Sequence, residues 1–457
     1  MMKYAEYTIL IKIHIWKKCI NLAENFCMLS KKIISVTAII LFSLSVSAQN
    51  EAELNRKFGF KDFCFDKDIR TLQAYKTGNE MSQPYVELNS NETITFMFDD
   101  LSEHARDFYY VIKHCNADWE EDNLFVHDYM KGFAENNIFK FNSSINTTVS
   151  YKNYVLTIPN SDVQIVTSGN YLLKVYDRYD DRIVFQKGFK IFENKVALSL
   201  KYRHIVNYGT DGKQQLEFSI NRGSLPIQNP YNELKLRIEQ NSQRAPSQAL
   251  PAISFQNNLV IDYSNAAKNI FKGENEYRMF DTRSLAYNAE GVNKIINQIG
   301  EYHVLLNIDR QNDKETYQYT RDINGKYYIE ADRMIKHSTD KNLEADYVNV
   351  YFTVEDPNPD ANITIYVYGA LSDWGLKPEC RMEYNESRQS YETTLLLKQG
   401  YYNYKYVAVD GKQNFLSDFF DESFAQTENE YTVNVYFKGM HDRWDRLVAI
   451  ESINTAK

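Results

Sequence analysis

Residues 401–407 read YYNYKYV, an alternation of aromatic and polar side chains. Aromatic and β-branched residues fit a half-buried pleated surface, so the stretch predicts a β-strand. Asp410-Gly411 follows it as a turn signal. Stretches of the same character lie nearby at 347–352 (YVNVYF), 363–368 (ITIYVY), 391–397 (YETTLLL) and 431–437 (YTVNVYF). One immunoglobulin-like sandwich is about 100 residues long, and we therefore predict such a sandwich over residues 346–457.

Two further sets of strand-like stretches precede this one. The first set predicts an N-terminal β-sandwich over residues 58–194, and it comprises 94–98 (ITFMF), 108–113 (FYYVIK), 154–158 (YVLTI), 171–176 (YLLKVY) and 183–186 (IVFQ). The second predicts another sandwich over residues 195–333, and it comprises 196–200 (VALSL), 216–220 (LEFSI), 234–238 (LKLRI), 259–261 (LVI) and 302–308 (YHVLLNI). The predicted fold is thus all-β, with three consecutive immunoglobulin-like or early-set modules.

The boundaries between these modules differ in kind. Glu193-Asn194 is too short for a linker, so the first two modules should abut and move little. The polar stretch 334–346 reads as a connector before the third module. Residues 123–133 fit neither the helical nor the strand period, and we interpret them as a long connection.

Composition excludes one broad class of partner. The chain has 457 residues, of which 43% are hydrophobic, so it can bury more than one core. Its formal net charge is −9. Proteins that bind nucleic acid obtain much of their affinity from a basic surface. We therefore expect no nucleic-acid partner.

The N-terminal region predicts export. Lys31 and Lys32 precede an apolar run over 33–44, and Val46-Ser47-Ala48 forms a small-residue cleavage site. This pattern is typical of a secretory signal peptide over residues 28–48, and it is too short for a membrane span. Residues 1–27 are then a mis-called N-terminal extension upstream of Met28.

The mature chain should begin at Gln49. Cleavage removes six basic and two acidic residues from the 52 and 61 of the whole chain, which leaves a net charge of about −13. Since residue 49 is not a cysteine, no lipid anchor is expected. No other stretch approaches the roughly 20 apolar residues that a membrane span needs, so no direct insertion into the membrane is expected. Three cysteines remain, Cys64, Cys115 and Cys380, which are too few for a disulfide framework, although one bridge such as Cys64 to Cys115 stays open.

Two clusters of reactive residue types could suggest catalysis. His114 and Cys115 are adjacent, but neighbouring residues of a strand point to opposite faces, so we favour a strand end followed by a capped turn. Asp99-Asp100 and Asp180-Asp181 could supply paired carboxylates, but we interpret both as solvated loop charges. We predict no catalytic residue, no metal site and no cofactor.

A stretch of the C-terminal module resembles the early-set sandwiches that accompany glycogen-active enzymes and bind α-glucans. The resemblance lies in 367–374 (VYGALSDW) and 400–406 (GYYNYKY). In such modules exposed aromatic rings lie against sugar faces. Trp374 and Tyr402 are the candidates for such a glycan platform here, although packing of both rings in the sandwich is the alternative.

A second resemblance runs through nearly the whole mature chain. Its motifs occur in order at 98–101 (FDDL), 110–119 (YVIKHCNADW), 129–133 (YMKGF), 158–160 (IPN), 168–173 (SGNYLL), 240–241 (QN), 275–278 (NEYR) and 322–325 (DING). In this order they resemble the plug protein family of the Bacteroidota type IX secretion system.

The family resemblance implies a function without catalysis. It implies a periplasmic protein at the outer membrane that closes the periplasmic opening of a giant β-barrel translocon by protein–protein binding. No catalytic residues come with the family. The alternative is an exported glycan-binding protein, with a glycan as partner only in that case.

Overall fold

The computed structural model describes residues 61–204, 212–243, 252–264, 269–311, 316–331 and 340–456. The expected extension 1–27, the signal peptide 28–48 and residues 334–339 of the connector 334–346 lie outside these residues. Strands dominate the described part, so the predicted all-β class is confirmed.

Twelve strands lie in the first part of the chain within the described residues. They are β1 (Phe63–Cys64), β2 (Ile69–Lys76), β3 (Tyr85–Glu87), β4 (Ile94–Asp100), β5 (Phe108–Cys115), β6 (Met130–Gly132), β7 (Asn136–Ile138), β8 (Phe141–Ser143), β9 (Lys152–Ile158), β10 (Val163–Ile165), β11 (Gly169–Asp177) and β12 (Ile183–Phe192).

The remaining strands fall on either side of residue 340. Before it lie β13 (Ala197–His204), β14 (Lys213–Asn221), β15 (Leu234–Gln240), β16 (Phe255–Gln256), β17 (Val260–Asp262), β18 (Ile270–Lys272), β19 (Arg278–Asp281), β20 (Val292–Gln298), β21 (Glu301–Leu306) and β22 (Tyr327–Ile329). After it lie β23 (Tyr347–Glu355), β24 (Thr364–Tyr368), β25 (Glu383–Asn385), β26 (Ser390–Lys398), β27 (Gly400–Val409), β28 (Phe415–Leu416), β29 (Glu430–Phe437) and β30 (Arg446–Asn454).

The first sandwich is built only from strands β1 to β12. One sheet has the order β1-β12-β11-β5-β7, with β3 parallel to β12, and the other has the order β2-β4-β9-β8. Aromatic rings fill the space between the two sheets. The ring centroid of Phe98 lies 5.0 Å from that of Tyr154 and 4.9 Å from that of Phe185. Such packed rings add attraction beyond the area they bury. The end of the connection expected at 123–133 forms the short strand β6, and the short strands β7 and β8 follow it.

The second sandwich takes strands from two distant parts of the chain. One sheet has the order β13-β14-β17-β16, with β18 paired to β14, and the other has the order β15-β29-β30. The strand β14 alternates between buried and half-buried residues, as a sheet with one wet face should. Its Leu216, Phe218 and Ile220 share a core with Tyr431 and Val433 of β29.

In sequence, the third sandwich lies between the two parts of the chain that form the second sandwich. Strands β19, β22, β24 and β28 all pair directly with β27, and the facing sheet has the order β20-β21-β23-β26-β25. Phe280, Val304 and Tyr402 lie in its core.

The third sandwich is therefore an insertion into the second. Residues 346–457 do not form a sandwich from their own strands alone, because β19 to β22 complete it from before the expected boundary. Strands β29 and β30 belong instead to the second sandwich. The boundary expected at 334–346 is corrected accordingly.

The helices are single turns. They are α1 (Val126–Tyr129), α2 (Pro230–Glu233) and α3 (Lys341–Glu344), with two 3₁₀ turns at Ala370–Ser372 and Pro378–Cys380. In the described ranges no helix has the length and apolar character that crossing a membrane requires.

Candidate partner-binding surface

The adjacent His114 and Cys115 do not converge on one point. The buried His114 ring has its Nδ1 2.6 Å from Asp122 Oδ2 and its Nε2 3.2 Å from the Ser168 carbonyl oxygen. Burial raises the pKa of the Cys115 thiol to about 12, which keeps it protonated. Asn116 Oδ1 accepts a 2.8 Å hydrogen bond from the Asp118 backbone N–H. The geometry is that of a strand end with a capped turn.

The Asp99-Asp100 pair corrects an expectation. Both residues are fully buried at the end of β4, so they are not solvated loop charges. Asp100 accepts two hydrogen bonds from Arg106, at 2.7 and 3.2 Å, and Asp99 lies 2.7 Å from Lys398 Nζ. Asp180 and Asp181 are exposed, as expected.

The structure separates the two candidate glycan-platform residues. Tyr402 is only 2% exposed, and its ring stacks at 5.0 Å on both Phe280 and Tyr327. Its hydroxyl donates to the Lys398 carbonyl at 2.5 Å. Because both ring faces are covered by protein, Tyr402 cannot lie against a sugar. Its proposed role in a glycan platform is therefore wrong.

Trp374 is half-buried and packs inside the third sandwich. Its ring lies edge-on to Tyr368 at 5.7 Å and to Tyr277 at 6.3 Å. A Cβ added to Gly325, whose φ is +74°, would come within 2.4 Å of the Trp374 ring. Gly325 also accepts a 2.8 Å hydrogen bond from the Ala370 N–H. The two motifs 322–325 and 367–374 thus pack against each other, which gives both a structural role.

The three cysteines of the described residues are free thiols. Cys64 and Cys380 both line a cavity of about 220 Å³ between the first and third sandwiches. Burial raises the pKa of the Cys64 thiol to about 11. Within the described ranges, no group of three or more His, Cys, Asp or Glu side chains is placed to hold a metal ion.

The family-like motif 114–119 forms part of a joint between the first and second sandwiches. The Ala117 N–H donates to Asp445 Oδ2 at 3.0 Å, and the Tyr436 hydroxyl donates to Asn170 Oδ1 at 2.7 Å. Asn170 Nδ2 in turn donates to the Asn116 carbonyl at 2.9 Å. These residues connect the turn after β5 to strands β29 and β30, and we call them the second-sandwich joint.

Buried charges extend the same joint. Lys190 Nζ lies 2.5 Å from Glu239 Oε1 and 2.9 Å from Asn434 Oδ1, and its side chain is almost inaccessible. Arg446 donates two hydrogen bonds to Glu193, at 3.0 and 2.7 Å. Such buried, hydrogen-bonded pairs hold one geometry, because losing one partner leaves an uncompensated charge. The two sandwiches therefore abut as expected.

A second polar contact connects the first and third sandwiches. Asp99 accepts from Lys398 Nζ at 2.7 Å and from the Tyr347 hydroxyl at 2.7 Å. The Tyr151 hydroxyl donates to the Ala345 carbonyl at 2.8 Å. We call these residues the third-sandwich joint. Since the first sandwich is fixed to both neighbours, all three present one continuous outer surface.

Three exposed phenylalanines lie close together in sequence at one edge of the first sandwich. Phe133 is 77% exposed, Phe139 81% and Phe141 42%. They lie before β7, between β7 and β8, and at the start of β8, and we call residues 133–143 the β7–β8 edge. Clustered exposed aromatic rings mark protein-binding sites more often than single ones do. The sequence analysis did not predict this surface. Its first residue, Phe133, is the last residue of the stretch 123–133, which fits neither the helical nor the strand period.

Comparison with solved structures gives a relative that matches over nearly its whole length. The crystal structure of a hypothetical protein from Parabacteroides merdae superposes with a TM-score of 0.81 and 33% sequence identity, and the match covers 86% of this chain and 99% of that one. The C-terminal domain of the Streptococcus agalactiae AgI/II polypeptide BspA matches at a TM-score of only 0.15 and 6% identity, over 84% of this chain and 97% of that one. No curated protein matches the chain.

The family model described as "Type 9 secretion system plug protein 1st domain" matches residues 69–193. This range coincides with the first sandwich, which carries the β7–β8 edge and one side of both joints. The motifs at 98–101, 110–119, 129–133, 158–160 and 168–173 all fall inside it. Residues 69–193 therefore form a first domain of the type 9 secretion system plug protein family.

Proposed function

We propose that this protein is a periplasmic subunit that closes the periplasmic opening of the outer-membrane translocon of type 9 secretion by protein–protein binding. Its family assigns it a role in that secretion system and a place in the cell envelope. The finer role, closure of a barrel, is our inference.

The observation that carries the proposal is the fixing of three sandwiches into one surface by buried polar joints. Lys398 with Asp99, and Lys190 with Glu239, are ion pairs whose side chains are at most 7% exposed. A body that blocks a wide opening must resist deformation, and a body with preformed surface loses little conformational entropy on binding. The described residues offer binding surface and joints rather than a catalytic cluster.

Recovery of a barrel partner is the direct test. The tagged protein should co-purify with the translocon barrel from detergent-solubilised outer membrane, with the barrel identified by mass spectrometry. Recovery of the tagged protein alone, in a strain that expresses the barrel, would contradict the proposal.

Permeability gives an independent test in cells. A strain that lacks this protein should become sensitive to large antibiotics that the outer membrane normally excludes, because the opening would no longer be closed. Deleting the translocon as well should remove that sensitivity. If sensitivity persists in the double deletion, the protein does not act by closing the translocon.

Trp374 separates this function from glycan binding. Its ring packs on Gly325 and Tyr277, so Trp374→Ala should lower stability without a specific loss of partner binding. A folded Trp374→Ala protein that keeps the barrel but loses a glycan bound by the parent would favour the glycan-binding alternative.

A further inference from the structure

Both sheets of the first sandwich end at the same side in very short strands. β7 pairs with β5 over three residues, and β8 pairs with β9 over three residues. Neither has a second neighbouring strand within the described residues. The outward backbone groups of an edge strand can pair with another chain.

The other end of the β2-β4-β9-β8 sheet is not open in this way. Arg70 Nη1 of β2 lies 3.0 Å from Glu379 Oε1, and Thr71 Oγ1 lies 2.6 Å from the Tyr347 hydroxyl. The third sandwich therefore occupies that end of the sheet. At the other end, the segment after β8 contacts α3, where the Ile145 N–H donates to the Leu343 carbonyl at 2.8 Å, but all three residues of β8 are exposed.

The β7–β8 edge has two of the features that protect an edge strand, because β7 and β8 are three residues long and Lys140 lies between them. Residues 133–143 read FAENNIFKFNS, with no proline and only Glu135 and Lys140 charged. Soluble proteins commonly protect such edges with charge, proline or a covering loop. Protection against pairing does not account for three exposed phenylalanines at this edge, and we interpret them as part of a binding site.

The exposed area fits a reversible partner. Taking about 200 Å² for each phenylalanine side chain, the three rings expose on the order of 400 Å² of apolar surface. A standard interface buries about 800 Å² on each side. The three rings would then form the apolar centre of one ordinary interface, surrounded by polar contacts.

Local charge disfavours a second copy of this chain as the occupant. Glu135 lies 3.7 Å from Arg178, so that acidic charge is compensated. Lys131 and Lys140 are exposed, and no ion pair to either is found in the described part of the chain. Two copies joined at this edge would bring like charges together. A partner segment with carboxylates beside its apolar residues would be attracted.

We propose that the β7–β8 edge binds an extended segment of the translocon, which adds as a strand, places apolar side chains against Phe133 and Phe139, and carries acidic flanks that face Lys131 and Lys140. This inference rests on the proposed function, since it assigns the surface through which the plug would hold its barrel. Main-chain hydrogen bonds would give affinity, and the aromatic contacts would give register.

A double substitution tests the edge. Phe133→Lys with Phe139→Lys should lower the barrel recovered with the tagged protein roughly tenfold or more, because two aromatic anchors are lost from the centre of the interface. The matched control is Phe255→Lys with Leu259→Lys, two exposed apolar residues at the β16–β17 hairpin of the second sandwich. The control should recover the barrel as the parent does, and all three proteins should share one melting temperature.

The outcomes separate the two proposals. If the parent recovers the barrel and the edge variant recovers it equally, the edge assignment is overturned and the proposed function stands. If the parent recovers no barrel, both fall. A photo-crosslinking residue at position 139 should join the barrel protein, whereas a crosslink to a second copy of this chain would overturn the choice of occupant.

Discussion

The first sandwich has a covered side and an open side, and the two are built from opposite kinds of side chain. On the covered side, the charged Asp99 is fully buried against Lys398 and Tyr347 of the third sandwich. On the open side, the apolar Phe133 and Phe139 are more than three-quarters exposed. Polarity and burial are thus inverted between the two sides. A permanent contact within the chain uses buried ion pairs, and the surface proposed for a reversible partner uses exposed rings.

This inversion follows from what each contact must do. The third-sandwich joint forms when the chain folds. The free-energy cost of removing its charges from water therefore arises only on folding, where close ion pairs and several hydrogen bonds offset it. A surface that binds and releases a partner loses less when its centre is apolar, because no charge must be stripped of water in each cycle. The predictions below test the inversion, beginning with the covered side.

Removing the buried cation should have the largest effect. Lys398→Met leaves Asp99 buried and without its ion pair, so the free energy of unfolding should fall by about 3–5 kcal/mol. Burial lowers the pKa of Lys398, and the charge and hydrogen bond of Asp99 oppose that shift. Urea denaturation followed by tryptophan fluorescence would measure the change.

The matched control is an exposed ion pair on the third sandwich. Arg388 lies 3.1 Å from Glu392, and the Arg388 side chain is 70% exposed. Arg388→Met should change the free energy of unfolding by less than about 1 kcal/mol. Equal effects of Lys398→Met and Arg388→Met would mean that the third-sandwich joint contributes no more than a surface contact.

Gly325→Ala should have the next largest effect. Gly325 has a φ of +74°, and an added Cβ would lie 2.4 Å from the Trp374 ring and 2.6 Å from the Tyr277 ring. Backbone strain and overlap together should cost about 2–4 kcal/mol. Gly78 has a similar φ of +88° with no atom within 4 Å of the added Cβ, so Gly78→Ala isolates the strain of about 1–2 kcal/mol. Melting temperatures that fall equally in both variants would show that ring packing over Gly325 is unimportant.

The sequence predicted the fold class but not the connectivity. Alternating stretches such as 216–220 identify a strand from its own residues. They do not identify its neighbour, and β15 pairs with β29, nearly 200 residues later. The insertion of the third sandwich was therefore invisible to a local pattern.

The same limit explains the errors at individual residues. Asp99 was interpreted as a solvated charge because its partner Lys398 is 299 residues away. Tyr402 was a candidate platform because its stacking partners Phe280 and Tyr327 belong to other parts of the chain. Exposure depends on long-range packing, so the rings of the β7–β8 edge could be recognised only in the folded chain.

Glu276 should make the free energy of unfolding depend on pH, with a smaller effect than the substitutions above. Burial raises its pKa from 4.5 to about 7, with Asp322 and Glu428 adding repulsion, while the Tyr317 hydroxyl donates to it and partly opposes the shift. Since the folded pKa is raised, the stabilising contribution is complete below about pH 4.5 and is lost as pH rises through 7. Glu276→Gln cannot ionise, so its stability should fall less than that of the parent between about pH 5 and about pH 8. Parallel urea midpoints for parent and variant at the two pH values would contradict this assignment.

The smallest effect on stability should come from the open side. The Phe139 side chain is 81% exposed, so replacing it by lysine removes few contacts from the folded state. Surface substitutions of this kind usually change the free energy of unfolding by at most about 0.5 kcal/mol. Phe98 is the internal comparison, since it is 1% exposed and contacts Tyr154 and Phe185, and Phe98→Ala should cost about 3–5 kcal/mol. Urea denaturation of both variants would measure the two changes in the free energy of unfolding. A large change for Phe98→Ala and a small one for Phe139→Lys would separate core aromatic residues from those available to a partner. A loss of several kcal/mol in Phe139→Lys would mean that the β7–β8 edge is part of the core, and the contrast between the two sides would then fail at its open side.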